Sequence, residues 1–495
     1  MKNKEFVMQL LSLKNFDVSI SGHFLFHIDQ LHIESGDRIG LIGANASGKT
    51  TFLETILYPE EYNTSGLFVR NGLWSYFEQR RFVLPELPNS EQISRWGILA
   101  LTYRTDQNFS GGEEARIKLA QVFSEPHDIL VLDEPTAHLD GKALLEFKRQ
   151  LSNEETFILV SHDRQFLNEF CTRSLVIQDN QLIDFPGNYD DWKIWNELKN
   201  QTQWDEYEKA RQEKQRLLFV LQEQKSKAAK TQKKPKNLSR SELKAREFGA
   251  VGKSIGGKQK SISAAARNTE KRIERLGDLK KPTLSPKIRP DFNITDPPQN
   301  KVIIEIKSLN FAYPNSDNLF NELSFCLKRN TRVALIGENG VGKSTLLKLI
   351  MQGHPDIRAV PKAKFGYFDQ SFGDIRFEKN ILENIHSTSI QHESINRNVL
   401  ARMGFPADVL EKKAGVLSGG ELTKLSFAKL FVSDFNVLLI DEPSNYLDIP
   451  SYEAIESLLL DFEGTMLFCS HDSYFVSAIA DEVWELKNKR MCQVR

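Results

Sequence analysis

The chain has 495 residues but only four cysteines, and it contains no run of about 18 apolar residues. No membrane helix is therefore expected. The four cysteines lie far apart without a Cys-x-x-Cys pair, which disfavours a disulfide framework or a zinc site and fits the reducing cytoplasm. The segment Met-Lys-Asn-Lys-Glu-Phe at the start has no apolar core, so no secretory signal is expected either.

The net charge of −1 conceals a strongly basic segment. Residues 211–290 contain 23 Lys and Arg against 7 Asp and Glu, a net of +16, so the rest of the chain carries −17. Hydrophobic content of 40% and charged content of 26% are typical of a globular protein. A basic segment between two acidic parts predicts a polyanionic partner, most simply nucleic acid.

Two glycine-rich loops match the phosphate-binding pattern Gly-x4-Gly-Lys-Ser/Thr. Backbone N–H groups and a helix N-terminus in such a loop point at phosphate oxygens, and a lysine neutralises the β- and γ-phosphates. The hydroxyls of Thr50 and Ser344 are predicted Mg²⁺ ligands. The nucleotide-binding candidates are Gly43, Asn45, Gly48, Lys49, Thr50 and Thr51 in the first loop, and Gly337, Asn339, Gly342, Lys343, Ser344 and Thr345 in the second.

A pair of carboxylates ends an apolar run downstream of each loop. Asp133 and Asp441 suit an outer-sphere Mg²⁺ role, and Glu134 and Glu442, one residue further, suit polarisation of an attacking water. An Asp-Glu pair alone is usually a solvated strand end. Its place after a buried strand and a phosphate loop favours the catalytic reading.

The chain contains an internal repeat of one domain. Lys49 and Lys343 are 294 residues apart, and Glu134 and Glu442 are 308 apart, with the order of motifs kept. We expect one domain at 1–190 and a second copy at 301–495. Short apolar runs before the motifs alternate with helical patterns, which predicts the α/β class, with a parallel sheet flanked by helices in each copy. The predicted strands cover 38–42, 129–132, 157–160, 333–336, 437–440 and 466–469.

Residues 191–300 are predicted to form a basic linker. The stretches 192–234 and 262–279 favour helix, whereas Pro235 and glycines 249, 252, 256 and 257 break it. The simplest arrangement is an antiparallel two-helix hairpin with its tip near 235–260.

Accessory motifs in both copies resemble those of ABC ATPases. Phe109 to Glu113 and Leu417 to Glu421 look like the ABC signature, with Ser110, Gly112, Ser418 and Gly420 as its nucleotide-contacting residues. Gln79 and Gln370 resemble the Q-loop glutamine, a further Mg²⁺ ligand and catalytic candidate. His162 and His471 resemble the switch histidine, and Leu139-Asp140 and Leu447-Asp448 the D-loop.

Two cassettes, no membrane part and a charged helical linker together resemble the ABC-F family of ribosome-binding ATPases. Glu113 and Glu421 at the end of the signatures, and Pro186-Gly187-Asn188-Tyr189-Asp190 after the first cassette, point the same way. The resemblance implies a cytoplasmic monomer that hydrolyses ATP with Mg²⁺. Its cassettes would close head-to-tail on two ATP molecules, Lys49 sharing one with Ser418 and Gly420, and Lys343 the other with Ser110 and Gly112. Closure would fix the linker for binding, and hydrolysis would release it.

The two copies differ at the adenine. Tyr313, 24 residues before Gly337, looks like the aromatic that stacks on adenine, whereas the equivalent position before Gly43 is Ser19. Phe16 is the expected substitute after a local shift. The first D-loop begins Ala137-His138, where the second has Asn445-Tyr446, so we expect unequal hydrolysis at the two sites.

The linker tip is the predicted RNA contact. Residues 225–260 contain 12 Lys and Arg against 2 Asp and Glu, a composition suited to phosphate contacts. The alternative is a hairpin charged only for solubility. The RNA-contacting candidates are Lys233, Lys234, Lys236, Arg240, Lys244, Arg246, Phe248 and Lys253, with Phe248 either packing on bases or closing the tip.

Within the family, the compact first cassette favours the antibiotic-resistance subgroup, because only 31 residues separate Gln79 from Ser110. That resemblance implies binding at the ribosomal tRNA exit site, beside large-subunit rRNA and P-site tRNA, with the linker reaching toward the peptidyl-transferase centre to dislodge drugs. A translation factor without a resistance role, a transporter ATPase needing separate membrane subunits, a DNA-maintenance ATPase and a non-hydrolysing scaffold are the alternatives.

Overall fold

A computed structural model describes most of the chain. The described residues are 8–20, 23–45, 47–78, 88–99, 109–136, 139, 141–178, 180–232, 250–277, 296–314, 317–338, 340–369, 371–443, 447–470 and 472–495; the side chains of 20, 23 and 228–260 are outside the description. The chain divides into two units, residues 1–192 with 287–495, and residues 193–286. The helices among the described residues are all too short or too polar to span a bilayer.

The first cassette is built on a mixed sheet. Among its described residues nine strands pair in the order β4-β1-β2-β9-β8-β3-β7-β6-β5. The strands are β1 (Gln9–Ile20), β2 (His23–Glu34), β3 (Arg38–Gly43), β4 (Asn63–Arg70), β5 (Trp74–Phe77), β6 (Ile129–Asp133), β7 (Phe157–Val160), β8 (Arg173–Gln178) and β9 (Gln181–Phe185). The helices are α1 (Lys49–Leu57), α2 (Ser90–Arg95), α3 (Gly111–Val122), α4 (Gly141–Asn153) and α5 (Arg164–Phe170), with a 3₁₀ turn at Pro59–Glu61.

The second cassette repeats this plan, with its described strands in two sheets of order β11-β10-β13 and β14-β15-β16-β12-β17-β18. The strands are β10 (Val302–Phe311), β11 (Phe320–Lys328), β12 (Arg332–Ile336), β13 (Ile357–Ala359), β14 (Phe365–Phe368), β15 (Val437–Asp441), β16 (Thr465–Cys469), β17 (Glu482–Lys487) and β18 (Arg490–Gln493). The helices are α8 (Lys343–Gln352), α9 (Ile381–His386), α10 (Glu393–Arg402), α11 (Gly419–Phe431), α12 (Ile449–Asp461) and α13 (Ser473–Ile479), with 3₁₀ turns at Ala407–Val409 and Ala414–Val416.

The predicted strands and the parallel sheet are present, but each cassette also has antiparallel strands that were not predicted. The strands β1, β2 and β4 pair antiparallel, as do β10, β11 and β13. Alternating buried and exposed residues in β11 show the physical reason, since one face of such a strand is solvated and its apolar pattern has period two. The continuous apolar runs that predicted strands belong only to the parallel part, where β6 and β15 are buried at every residue.

The parallel strands bring the motifs to one edge. The neighbours β3, β7 and β6 are parallel, as are β12, β16 and β15. The phosphate loop follows β3, the carboxylate pair ends β6, and the histidine follows β7. Because ligands bind beyond the carboxyl ends of parallel strands, this order assembles a site from residues far apart in sequence.

The smaller unit contains two helices that run antiparallel. They are α6 (Tyr189–Gln232), whose first residues belong to the larger unit, and α7 (Ala250–Leu276). Lys225 pairs with Glu270 at 2.8 Å, and Lys214 donates to the carbonyl of Gly277. The predicted hairpin is therefore present, but the expected break over 250–260 is wrong. Those residues are helical in spite of their glycines, each of which costs only about 1 kcal/mol relative to alanine.

Candidate active site

Each phosphate loop ends at a position that only glycine can occupy. Gly48 and Gly342 cap the N-termini of α1 and α8 with φ of 99° and 111°. A Cβ at Gly342 would lie 2.8 Å from the ring of Phe320, and one at Gly48 would lie 3.2 Å from Phe26. The left-handed backbone and the close ring together exclude a side chain. Phe26 and Phe320 were missed in the sequence, although they share the lysines' offset of 294.

The ammonium group of each loop lysine donates hydrogen bonds to carbonyls of its own phosphate loop. The Nζ of Lys49 donates to the carbonyls of Gly43 and Ala44 at 2.8 and 2.9 Å. The Nζ of Lys343 donates to those of Gly337 and Glu338 at 2.8 and 3.2 Å. Burial lowers the pKa of Lys49, which nearby carboxylates partly oppose. A buried ammonium at a helix N-terminus is the electrostatic setting that binds phosphate.

The predicted Mg²⁺ residues lie together in both cassettes. The hydroxyl of Thr50 donates to a carboxylate oxygen of Asp133 at 2.9 Å, and that of Ser344 donates to Asp441 at the same distance. Each pair presents oxygen atoms beside the phosphate loop, and oxygen is the donor that Mg²⁺ prefers. These residues therefore fit the ion, which would neutralise phosphate charge when bound. Burial raises the pKa of Asp441.

The predicted catalytic glutamates share an unusual backbone. Glu134 and Glu442 have φ of 52° and 47°, in the left-handed region that residues with a Cβ rarely adopt. Each is held there by a backbone hydrogen bond to the neighbouring strand. The N–H of Glu134 donates to the carbonyl of Val160 at 3.0 Å, and the N–H of Glu442 donates to that of Cys469 at 3.1 Å. Backbone strain of this kind costs about 1–3 kcal/mol and is typical of functional positions.

His162 contacts the first glutamate. Its backbone N–H donates to Glu134 at 3.3 Å, and its Nε2 lies 3.3 Å from the other carboxylate oxygen. Burial lowers the pKa of His162 to about 4, aided by Lys49, so the ring is neutral at pH 7. Burial and Asp133 raise the pKa of Glu134 to about 8. Positive charge beside this carboxyl, such as that of a bound Mg²⁺, would lower its pKa.

The candidate adenine residues have different surroundings in the two cassettes, and one of them needs a correction. The hydroxyl of Tyr313 lies 3.0 Å from that of Thr345, which is in the first turn of α8. The side chain of Tyr313 is half exposed. Phe16 is the wrong substitute in the first cassette, because its side chain is 1% exposed and packs on Phe68 in the core. Rotating it out would uncover apolar surface.

Strand register also moves the first-cassette position by one residue. Val18 pairs with Phe26 as Phe311 pairs with Phe320. Val18 is therefore equivalent to Phe311. Tyr313 lies two residues after Phe311, so its equivalent in the first cassette is Ile20, two residues after Val18, and not Ser19. Neither Ser19 nor Ile20 is aromatic, so the difference between the sites remains.

The signature serines begin their helices. Ser110 and Glu113 form a reciprocal capping box at the start of α3, and Ser418 and Glu421 form the same box at α11. The N-termini that carry Gly112 and Gly420 are thereby fixed. This bond explains why glutamate follows the two glycines: its carboxylate accepts from the serine's own backbone N–H at 2.9 and 2.8 Å.

The two cassettes touch at the first phosphate loop. The backbone N–H of Asn45 donates to a carboxylate oxygen of Asp448 at 2.6 Å. Ile449, the next residue, is buried in the apolar core of the first cassette. Burial would raise the pKa of Asp448, but Lys424 and hydrogen bonds from Ser451 and Asn45 lower it, so the carboxylate stays charged. The D-loop of one cassette therefore faces the phosphate loop of the other.

Several predicted residues lie outside the description. They are Gln79, Gln370, His471, Asn339, Ala137, His138, Asp140, Asn445 and Tyr446, together with Lys233, Lys234, Lys236, Arg240, Lys244, Arg246 and Phe248. Lys253 lies in α7, with its side chain undescribed. Their roles stay predictions.

Comparison with known proteins agrees with this geometry. The ABC transporter family model matches residues 26–137 and 320–445. The erythromycin resistance ATP-binding protein MsrA of Staphylococcus epidermidis is 34% identical over 488 residues, covering 93% of this chain and 94% of that protein. The ribosome protection protein VmlR of Bacillus subtilis (strain 168) is 30% identical over 491 residues, covering 97% of this chain and 87% of its own length.

The chain belongs to the ABC-F family. A solved structure named RNase-L Inhibitor matches with a TM-score of 0.60 at 15% identity, covering 96% of this chain and 89% of that one, which supports the tandem fold alone. The predictions of an ABC-F ATPase and of two α/β ABC domains joined by a helical hairpin are confirmed. This ABC-F protein is an ATPase, and ATP is its nucleotide.

Proposed function

We propose that this ABC-F ATPase binds the ribosome in its ATP-bound state and protects it from antibiotics. It occupies the tRNA exit site and extends its linker toward the peptidyl-transferase centre, where the linker displaces drugs. The observation that carries the proposal is the match, over nearly the whole chain and across the linker, to relatives named for erythromycin resistance and for ribosome protection. The working form is a monomer in the cytoplasm.

The nucleotide sites supply the switch in this proposal. Lys49 and Lys343 bind the phosphates, and Thr50, Ser344, Asp133 and Asp441, with Gln79 and Gln370, hold Mg²⁺ directly or through water. Glu134 and Glu442 polarise the attacking waters, and His162 and His471 orient them. The contact of Asn45 with Asp448 supports a head-to-tail arrangement, in which Ser110, Gly112, Ser418 and Gly420 complete the opposite sites.

The linker supplies the contact with RNA. We take 1–190 and 301–495 as the cassettes and 191–300 as the linker. Its two long helices run antiparallel, joined by the described ion pair of Lys225 with Glu270. The 12 cations of residues 225–260 suit the phosphates of large-subunit rRNA and of P-site tRNA.

A cell-free translation assay tests this function without a membrane, and so excludes drug efflux. Ribosomes are inhibited with erythromycin, a lincosamide, a pleuromutilin or streptogramin A, and the purified protein is added with ATP. Synthesis should recover for at least one drug class. The Lys49→Ala/Lys343→Ala variant is the matched control, and it should give no recovery. Equal synthesis with and without the protein for every drug would contradict the resistance role.

A further inference from the structure

One buried cation of the first cassette is surrounded by carboxylates of the second. Arg164, the first residue of α5, is 4% exposed. Its Nη1 lies 2.8 Å from Glu456 and 4.0 Å from Glu453, both on α12, and its Nη2 lies 3.5 Å from Asp472. A buried charge of this kind is stable only while its partners stay in place.

Aromatic rings and a helix start fix the geometry of this cluster. The guanidinium lies 5.2 Å from the ring centre of Tyr452 and 5.7 Å from that of Tyr474. The hydroxyl of Tyr189, at the start of α6, donates to Glu453 at 2.6 Å. Such contacts restrain the planar guanidinium, so a shift of Asp472 or Glu456 would disturb its contacts with the other members of the cluster.

The cluster touches the histidine segments of both ATP sites. Arg164 lies two residues after His162, and Asp472 directly follows His471. Asp472 is also the residue that caps α13, since it accepts from the backbone N–H groups of Tyr474 and Phe475 at 2.8 and 3.1 Å. The ion pair between Arg164 and Asp472 therefore couples the positions of the two histidine segments.

This link is asymmetric between the two copies. The position of Arg164, directly after Ser-His-Asp, is Ser473 in the second cassette, and its hydroxyl donates to Gln165 at 2.7 Å. The second cassette thus has a neutral, exposed hydrogen bond at the position where the first cassette has a buried cation. The sequence signal was present, as an Arg against a Ser after the same tripeptide, but nothing in the sequence placed acidic residues around it.

We propose that Arg164 is a positioning residue that acts across the cassettes, holding Asp472 and with it the histidine segment of the second ATP site. Its described contacts are with protein side chains, and it acts on the second site through Asp472. Arg164 affects how often the second ATP site reaches the geometry that hydrolyses ATP. Its replacement should therefore lower kcat at the second site, although the phosphate loop and the glutamate of that site belong to the other cassette.

The test isolates the second site with Glu134→Gln and measures phosphate release against ATP concentration. Adding Arg164→Met should lower kcat at least fivefold while KM changes less than threefold. Adding Arg164→Lys should recover part of the loss, because it restores the charge. Gln165→Ala, which removes the Ser473 bond from the same helix, is the matched control and should stay within twofold.

Thermal unfolding and a milder variant keep the test decisive. If Arg164→Met does not fold, Glu456→Gln replaces it, since it removes one charge and keeps the volume, and a kcat loss of at least threefold is expected. An Arg164→Met or Glu456→Gln protein with an unchanged melting temperature and kcat within twofold of its parent would overturn the proposal. So would equal losses from Arg164→Met and Gln165→Ala.

Discussion

The backbone N–H of Asn45 donates a 2.6 Å hydrogen bond to the Asp448 carboxylate, although 403 residues separate the two. Asn45 lies in the phosphate loop of the first cassette and Asp448 before α12 of the second. A hydrogen bond to an ionised acceptor is about twice as strong as a neutral one. The phosphate loop of the first ATP site is therefore in direct contact with the opposite cassette.

Asp448→Asn should slow hydrolysis at the first site several-fold while leaving the fold intact. The amide oxygen keeps the N-cap bond from the backbone N–H of Ser451, which Asp448 now accepts at 3.0 Å. The amide NH₂ then replaces the oxygen that accepts from Asn45, and because NH₂ is a donor, that bond is lost. Phosphate release measured in a Glu442→Gln background reports on the first site alone. Asp434→Asn, which breaks a half-exposed pair with Lys364, serves as the control and should change little. Equal rates for both variants would argue against a role for the contact.

Glu134→Gln and Glu442→Gln should both slow turnover, but unequally. Removing a general base costs roughly 10²–10⁴-fold at its own site, so each single variant reports on the site that is left. Glu442→Gln leaves the first site, which lacks an aromatic at the adenine position, and its KM for ATP should be higher. Phosphate release over a range of ATP concentrations checks this. Identical curves for the two variants would remove the asymmetry.

Tyr313→Ala should weaken ATP binding at the second site. Stacking of a base on an aromatic ring contributes about 1–3 kcal/mol, so the Kd should rise roughly 5- to 150-fold. Binding is measured in a Lys49→Ala background, which silences the first site. Tyr313→Phe keeps the ring and loses only the hydroxyl near Thr345, so its Kd should stay close to the parent value. A large loss with phenylalanine would show that the hydroxyl, and not stacking, is what matters.

Replacing Lys233, Lys234 and Lys236 by alanine should weaken ribosome binding and flatten its salt dependence. Each lost phosphate contact lowers the slope of log K against log salt by about 0.7–0.9. The control replaces Lys199, Lys209 and Lys271, which lie on the two helices. Affinity is measured at several salt concentrations with the hydrolysis-deficient protein. An unchanged slope in the first variant would place the RNA contact elsewhere.

The sequence predicted the parallel part of the fold well because that part leaves a strong local signal. A strand buried on both faces, such as β7 (Phe157–Val160), is a short unbroken apolar run, and its bounds were predicted correctly. The antiparallel strands β1 and β10 alternate only partly and contain register shifts, which blur the period-two pattern. Helix α7 was predicted too short because its glycines were weighted as breaks.

The candidate site divides in the same way. Lys49, Thr50, Asp133 and Glu134 were named from spacing, since the loop and strand motifs are local and the strand order is a property of the fold. The Phe16 prediction failed because burial depends on register across strands. Arg164 was missed because its partners Glu453, Glu456 and Asp472 are about 300 residues away, and no local pattern marks an interface between cassettes.

Ribosome sedimentation of the Glu134→Gln/Glu442→Gln double variant tests the central claim most directly. This protein should bind ATP without hydrolysing it and remain in the state that holds the linker for binding. With ATP it should sediment with ribosomes, and without nucleotide, or with Lys49→Ala and Lys343→Ala added, it should stay in the supernatant. Failure of the double variant to sediment with ribosomes in the presence of ATP would contradict the account.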